Sequence, residues 1–131
     1  MKDVEKIFND RKLVATVLRH KIKVENLKFF TSARDPIQVA IHYYPKKKMG
    51  RLQVYKISKP LQISRISKFI YVEAGKINVV LQTHHGKPMS TIILNKGDSI
   101  IINDIPHIVN FSANSRAFEI KQGPYKAELK S

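Results

Sequence analysis

Short runs of alternating apolar and polar residues fill most of the sequence, and most of them are bounded by Gly, Pro, Asn or Asp. This period of two is typical of a β-strand with one buried face, whereas no long segment shows the period of an amphipathic helix. The predicted strands include LVATVL, PIQVAIHYY, RLQVYKIS, SKFIYVEA, INVVLQT, MSTIILN, SIIIN, HIVNF and RAFEIKQ. The pattern predicts an all-β sandwich or barrel.

Length and composition predict one domain. The chain has 131 residues, 43% of them hydrophobic, and shows no repeat or linker. We predict a single domain over residues 1–131, with an N-terminal arm and strands in 1–35 and the barrel core in 36–125. The absence of cysteine excludes disulfides and thiolate metal sites. No apolar run is long enough for a membrane span and the first residues do not resemble a signal peptide, so we expect a soluble, cytoplasmic protein.

Basic residues are concentrated in the first half of the chain. Lys plus Arg total 24 against 10 Asp plus Glu, a net charge of +14. Residues 1–68 carry 17 basic and 5 acidic residues, and no acidic residue lies between Asp35 and Glu73. Such a one-sided field attracts nucleic acid, anionic polymers, lipid headgroups or phosphorylated small molecules. A lysine-rich composition is the plain alternative, although it would normally raise the glutamate content as well.

Two segments in the second half carry motifs of a known family. FIYVEAGKINVVL is a strand that reaches a turn at Gly75 and then a return strand, and GDSIIINDIPHIVN opens with a Gly-Asp turn and delivers His107 after a proline. These segments resemble the two motifs of the cupin superfamily of small jelly-roll barrels. With FFTSARDPIQVAIHYYP upstream and the ending AFEIKQGPY, they are similar to small bacterial cupins of sugar and cell-surface polysaccharide pathways. The resemblance implies a cupin-like jelly-roll β-barrel over most of the chain.

The metal site that the resemblance implies is incomplete in this sequence. Typical cupins bind a divalent metal through a His-x-His pair, a Glu and a second-motif His. His107 matches the last of these, but Lys68 stands where the Glu is expected. The His-x-His positions fall on Leu61 and Ile63, Gln62 and Ser64, or Gln53 and Tyr55, and none is a strong ligand pair. Because a neighbouring cation opposes a dication, we predict no metal site and no cofactor.

Strand alternation predicts which side chains share the inner face. If Lys68 keeps the inward direction of the residue it replaces, Ile70 and Val72 also point inward. The interior then forms a small pocket whose candidate ligand-binding residues are His107, Lys68, Gln53, Tyr55 and His42. A buried ammonium group needs an anionic partner, so the replacement predicts a phosphate, carboxylate or nucleotide-sugar in place of a metal. The plain alternative is that Lys68 extends to the rim and that the histidines only pack.

Two classes of function follow. The first is a metal-independent cupin-fold protein that binds a small anionic ligand, a sugar or nucleotide-sugar of carbohydrate or surface-polysaccharide metabolism, with isomerisation of that ligand left open. The second is a non-enzymatic basic module that binds nucleic acid or an anionic glycan through residues 46–68, although this segment has few aromatic residues and no known nucleic-acid motif. The resemblance also implies a homodimer, with the strand over residues 13–18 covering an exposed edge.

Other candidate groups have ordinary structural explanations. His84 and His85 are adjacent in a hairpin loop, where we expect them to be solvated, and His20 is expected to be exposed among basic residues. Asp98 is expected to cap the Gly-Asp turn. The tyrosines cannot be ranked as acids or bases, so whether the protein is an enzyme stays open.

Overall fold

A computed structural model describes residues 2–56 and 65–123 of the protein. All ten secondary-structure elements in these two ranges are β-strands, so the predicted all-β fold is confirmed. These ranges contain no helix that is long and apolar enough to cross a membrane. The strands are β1 (Val4–Asn9), β2 (Lys12–Leu18), β3 (Asn26–Phe29), β4 (Ala40–Tyr43), β5 (Ser67–Ala74), β6 (Lys76–Gln82), β7 (Pro88–Asn95), β8 (Ser99–Asn103), β9 (His107–Phe111) and β10 (Arg116–Lys121).

Two antiparallel sheets enclose the hydrophobic core. The larger has the strand order β1-β2-β8-β5-β10 and the smaller has the order β7-β6-β9; within the described residues neither closes on itself as a barrel. Alternate residues point into the space between the sheets, where Val17, Ile70, Val79, Leu94 and Ile100 are buried in one cluster. Each side chain of this size contributes about 1.5–3 kcal/mol by leaving water.

Two short strand connections use backbone conformations with positive φ. Asp10 and Arg11, which join β1 to β2, both have positive φ, as a type I′ turn requires. Gly75 joins β5 to β6 with a φ of +82°. Ser115 Oγ lies against this turn, where it accepts the Lys76 N–H at 3.0 Å and donates to the Lys76 carbonyl at 2.9 Å. These contacts leave little space around Gly75.

The N-terminal segment contributes directly to the core. β2 lies between β1 and β8 in the larger sheet, and its residues Ala15 and Val17 are fully buried. The first 35 residues therefore supply two of the five strands of this sheet. Residues 13–18 form an internal strand, and the edges of the sheet are β1 and β10.

The middle of the chain departs most from the sequence prediction. PIQVAIHYY forms a strand only over β4, which pairs with β3 in a separate two-stranded sheet. The strand predicted for RLQVYKIS is wrong over residues 51–56, which form no strand and leave Leu52 92% exposed. The last two residues of that prediction lie outside the described residues. Alternation does not make a strand where no neighbouring strand offers hydrogen-bonding partners.

An ionic network closes one end of the sandwich. The buried Asp98 carboxylate accepts the main-chain N–H groups of Asn95 at 2.8 Å and His20 at 2.9 Å, and Arg19 Nη1 at 3.1 Å. Arg19 also donates to Glu5 Oε2 at 2.9 Å. Burial alone would raise the pKa of Asp98, but the hydrogen bonds from Asn95, His20 and Arg19 together lower it below its usual range. The prediction that Asp98 caps the Gly-Asp turn is confirmed.

Candidate functional site

Lys68 and His107 meet at the end of the sandwich away from Asp98. Lys68 is near the start of β5 and pairs with the far end of β8, and His107 is the first residue of β9 in the smaller sheet. Ile70 and Val72, which alternate with Lys68, are buried in the core, so the predicted inward direction of Lys68 is confirmed. Lys68 and His107 line a cavity of about 390 Å³ that opens to solvent. This volume lies in the range of small-molecule sites.

The hydrogen bonds of His107 define its tautomer. Its Nδ1 lies 2.7 Å from the carbonyl oxygen of Ile105, and because a carbonyl oxygen only accepts, Nδ1 must carry the proton. In the neutral ring Nε2 then has a lone pair, and Lys68 Nζ lies 3.0 Å from it. The lysine therefore donates and the imidazole accepts.

The surroundings of His107 favour its neutral form. Burial lowers the pKa of the His107 imidazole below its ordinary value of 6.5, and the positive charges of Lys68 and Lys121 lower it further. The hydrogen bond to Ile105 and the negative charge of Glu119 act in the opposite direction without outweighing these causes. At neutral pH His107 is therefore an uncharged hydrogen-bond acceptor.

This lowered pKa predicts that the protein loses stability in mild acid. The unfolded chain binds a proton at His107 more readily than the folded chain, so the free energy of unfolding should fall as the pH drops from 6.5 toward the folded-state pKa. Urea denaturation at about pH 7.5 and about pH 5.5 measures this loss. His107→Gln should show a smaller loss, whereas His85→Gln, in the exposed turn after β6, should behave as the parent. An unchanged loss in His107→Gln would contradict the neutral, buried imidazole.

The positive charge of Lys68 is only weakly balanced. Lys121 of β10 lies directly opposite Lys68 in the antiparallel pairing, so the two lysines project on one face. Glu119 Oε1 is 3.8 Å from Lys68 Nζ, and its side chain is 49% exposed, which makes this ion pair a weak one. Asp104 contributes a carboxylate at the cavity rim. The cavity wall therefore carries the ammonium groups of Lys68 and Lys121 and the carboxylate of Asp104.

The side chains around His107 do not fit a divalent metal. Its Nε2, the atom that would bind the metal, faces the Lys68 ammonium at 3.0 Å. In the described ranges no group of three or more His, Cys, Asp or Glu side chains could hold a metal ion. The His-x-His candidates at positions 61–64 lie outside those ranges. A cation beside the His107 imidazole opposes a cupin-type metal centre at this position.

Three of the predicted site residues lie elsewhere. Gln53 and Tyr55 are exposed in the segment that forms no strand, and Tyr55 Oη donates to Gln53 Oε1 at 2.6 Å. His42 is exposed in β4, with its Nδ1 3.0 Å from Tyr44 Oη. The structure does not bring these three residues to the cavity of Lys68 and His107. The strand that would have carried Gln53 and Tyr55 inward does not form, and their part in ligand binding stays a prediction.

The cavity wall also contains residues that sequence patterns did not reveal. Lys121 and Asp104 line it, and His84 reaches it from the turn after β6. The position of Lys121 depends on the pairing of β10 with β5, two strands that are far apart in the chain. Nothing local in the sequence specifies that pairing.

Comparisons with known proteins do not identify a family. No protein-family model matches the sequence, no curated protein matches it, and no solved structure matches the fold. The likeness to cupins therefore rests on the motifs themselves.

Proposed function

We propose that this protein is a cupin-like, metal-independent binding protein for a small anionic ligand, a charged sugar or nucleotide-sugar, held between Lys68 and His107. The observation that carries the proposal is the 3.0 Å contact between Lys68 Nζ and His107 Nε2 in the wall of an open cavity. Two antiparallel sheets packed on one core, with Gly75 and Gly97 at turns of positive φ, support the jelly-roll interpretation. The place in carbohydrate metabolism comes from the resemblance of the motifs.

An anionic group suits this position because Glu119 balances the charge of Lys68 only weakly. The Lys68 side chain is 19% exposed, and a largely desolvated ammonium group is costly without a charged partner. His107 satisfies a hydrogen bond of Lys68 but supplies no negative charge. A phosphate or carboxylate oxygen could accept a charge-assisted hydrogen bond from Lys68.

If Lys68 donates to a bound anion instead of to His107, the imidazole becomes free to contact the ligand. Once an anion accepts the hydrogen bond that Lys68 donates to His107, the His107 Nε2 lone pair faces the bound ligand. A neutral imidazole in this state can accept a hydrogen bond from a sugar hydroxyl, or remove a proton from the sugar if the protein isomerises it.

Binding of UDP-glucose, glucose 1-phosphate and glucose, measured by isothermal titration calorimetry, tests this function. We expect the two charged compounds to bind and neutral glucose not to bind. Lys68→Ala should weaken binding of the charged compounds by about tenfold or more, the effect of one lost charge-assisted hydrogen bond. Lys76→Ala removes the same charge from an exposed position in the smaller sheet and should have no effect. Equal binding of glucose, or unchanged affinity in Lys68→Ala, would contradict the proposal.

A second candidate function rests on residues 46–56. Every residue of this segment is exposed, and it carries five cations and no acidic residue: Lys46, Lys47, Lys48, Arg51 and Lys56. This arrangement supports a basic module for nucleic acid or an anionic glycan over residues 46–68, part of which lies outside the described ranges. Tight binding of a single-stranded oligonucleotide that weakens steeply with salt, and that Lys46→Ala/Lys47→Ala reduces, would favour this function.

A further inference from the structure

A second cavity lies on the outer face of the larger sheet. Thr16 and Ile101, which pair across β2 and β8, line it, whereas the neighbouring pair Ala15 and Ile102 points into the core. The sheet itself therefore separates this cavity from Lys68, which lies on the inner face. We call it the outer cleft. Its volume is about 550 Å³, which exceeds the 390 Å³ of the cavity at Lys68.

Side-chain hydrogen bonds fix the outer wall of the outer cleft. Asp35 Oδ2 accepts the Ser32 N–H at 2.9 Å, and Gln38 Nε2 donates to the carbonyl oxygens of Ser32 at 2.8 Å and Asp35 at 2.9 Å. Thr31 Oγ1 donates to Gln38 Oε1 at 3.1 Å and accepts the Val39 N–H at 3.1 Å. A wall held in this way is already organised before a ligand arrives, which reduces the entropy cost of binding.

Cations dominate the charge of the outer cleft. Lys6 of β1, Lys28 of β3 and Arg65, just before β5, all line it. Arg65 donates to Asp35 Oδ1 at 3.4 Å and to the Leu13 carbonyl at 3.3 Å, which holds its guanidinium group in place. Because Asp35 is engaged by Arg65 and by its own loop, the charges of the two lysines are left to attract an anion.

Aromatic side chains lie beside these cations. Phe29 and Phe30 line the outer cleft, and Phe29 is 53% exposed although it is apolar. Lys28 Nζ lies 5.5 Å from the centroid of the Phe30 ring. An aromatic surface next to the cations Lys6, Lys28 and Arg65 suits a ligand that has a flat apolar part and a negatively charged part.

We infer that the outer cleft is a second binding site, for an organic phosphate that carries a flat heterocycle, such as a nucleoside monophosphate. The phosphate contacts Lys6, Lys28 and Arg65, and the heterocycle packs on Phe29 or Phe30. This site does not depend on Lys68 or His107, because it opens on the other face of the sheet.

Titration with AMP, adenosine and inorganic phosphate tests the inference. We expect AMP to bind at least about tenfold more tightly than either fragment, because only AMP uses both the cations and the aromatic surface. The double variant Lys6→Ala/Lys28→Ala should weaken AMP binding by about tenfold or more. Both lysines are exposed, so their removal should leave the fold intact, which a thermal melt verifies. Lys76→Ala/Lys87→Ala removes the same charge from exposed positions outside the cleft and should not change AMP binding.

Lys68→Ala separates this site from the cavity at Lys68. AMP binding that survives Lys68→Ala and is lost in Lys6→Ala/Lys28→Ala supports the inference, whatever the outcome with UDP-glucose. The inference is overturned if AMP does not bind, if adenosine or phosphate binds as well as AMP, or if AMP binding is lost in Lys68→Ala and retained in the double variant.

Discussion

Asp98→Ala is expected to lower the free energy of unfolding by about 3 kcal/mol, a large part of the stability of a domain of this size. The side chains of Asp98 and Arg19 are only 3% and 12% exposed, so their ion pair is largely shielded from water. Truncation removes that partner of Arg19 and leaves the main-chain N–H groups of Asn95 and His20 without their acceptor. Unfolding in urea, followed by circular dichroism, measures the loss.

Asp3→Ala is the matched control for Asp98→Ala. Asp3 is exposed, and its main-chain carbonyl accepts the Arg19 N–H at 2.8 Å, a bond that alanine preserves. We expect this variant to stay within about 0.5 kcal/mol of the parent. Asp98→Asn should also destabilise, because it replaces one accepting oxygen by a donating NH₂ group beside existing donors. A loss below about 1 kcal/mol in Asp98→Ala would contradict a structural role for the network.

Gly75→Ala is expected to destabilise the protein by about 3 kcal/mol, against about 1 kcal/mol for Gly86→Ala. The two glycines have nearly the same φ, +82° and +84°, so an added Cβ brings a similar backbone strain to both. At Gly75 the new Cβ would lie 2.7 Å from Ser115 Cα and would also meet Ser115 Oγ, whereas at Gly86 nothing lies within 4 Å. Comparing the urea midpoints of the two variants isolates the cost of this steric contact.

Ser115 is unable to move away from Gly75 without loss. Its Oγ makes two hydrogen bonds with the main chain of Lys76, and both would lengthen if the turn opened. Equal destabilisation by Gly75→Ala and Gly86→Ala would show that the segment around Ser115 adjusts freely and would refute this account.

Local patterns predict the second half of the fold well. β6 and β7 pair as a hairpin, and Gly75 joins β5 of the larger sheet to β6 of the smaller one. Alternation within each strand and the glycines between them were enough to place all three along the sequence. The direction of Lys68 followed from the same alternation, because Ile70 and Val72 had to reach the core. The Pro-His pair marks the turn before β9, and this turn was enough to predict that His107 begins a strand.

Long-range pairing explains what the sequence patterns did not show. The position of Lys121 opposite Lys68 and the internal position of β2 beside β8 both join segments that are distant in the chain. Residues 51–56 alternate as a strand would, yet no described strand pairs with them. The outer cleft was not predicted either, because it forms only where the loop at Ser32 and Asp35 packs near the outer face of the larger sheet. Alternation of apolar and polar residues shows which side chains of a strand share a face, but it does not show which other strand will pair with it.

The closed end of the sandwich restricts what can enter from the other side. Glu5, Arg19 and Asp98 occupy that end, and tightly packed side chains fill the interior between them and Lys68. The cavity at Lys68 and His107 therefore does not run through the sandwich, and it stays open to solvent at its own end. Any molecule bound there would keep one side in water, and only the part that faces the cavity wall would contact Lys68 and His107.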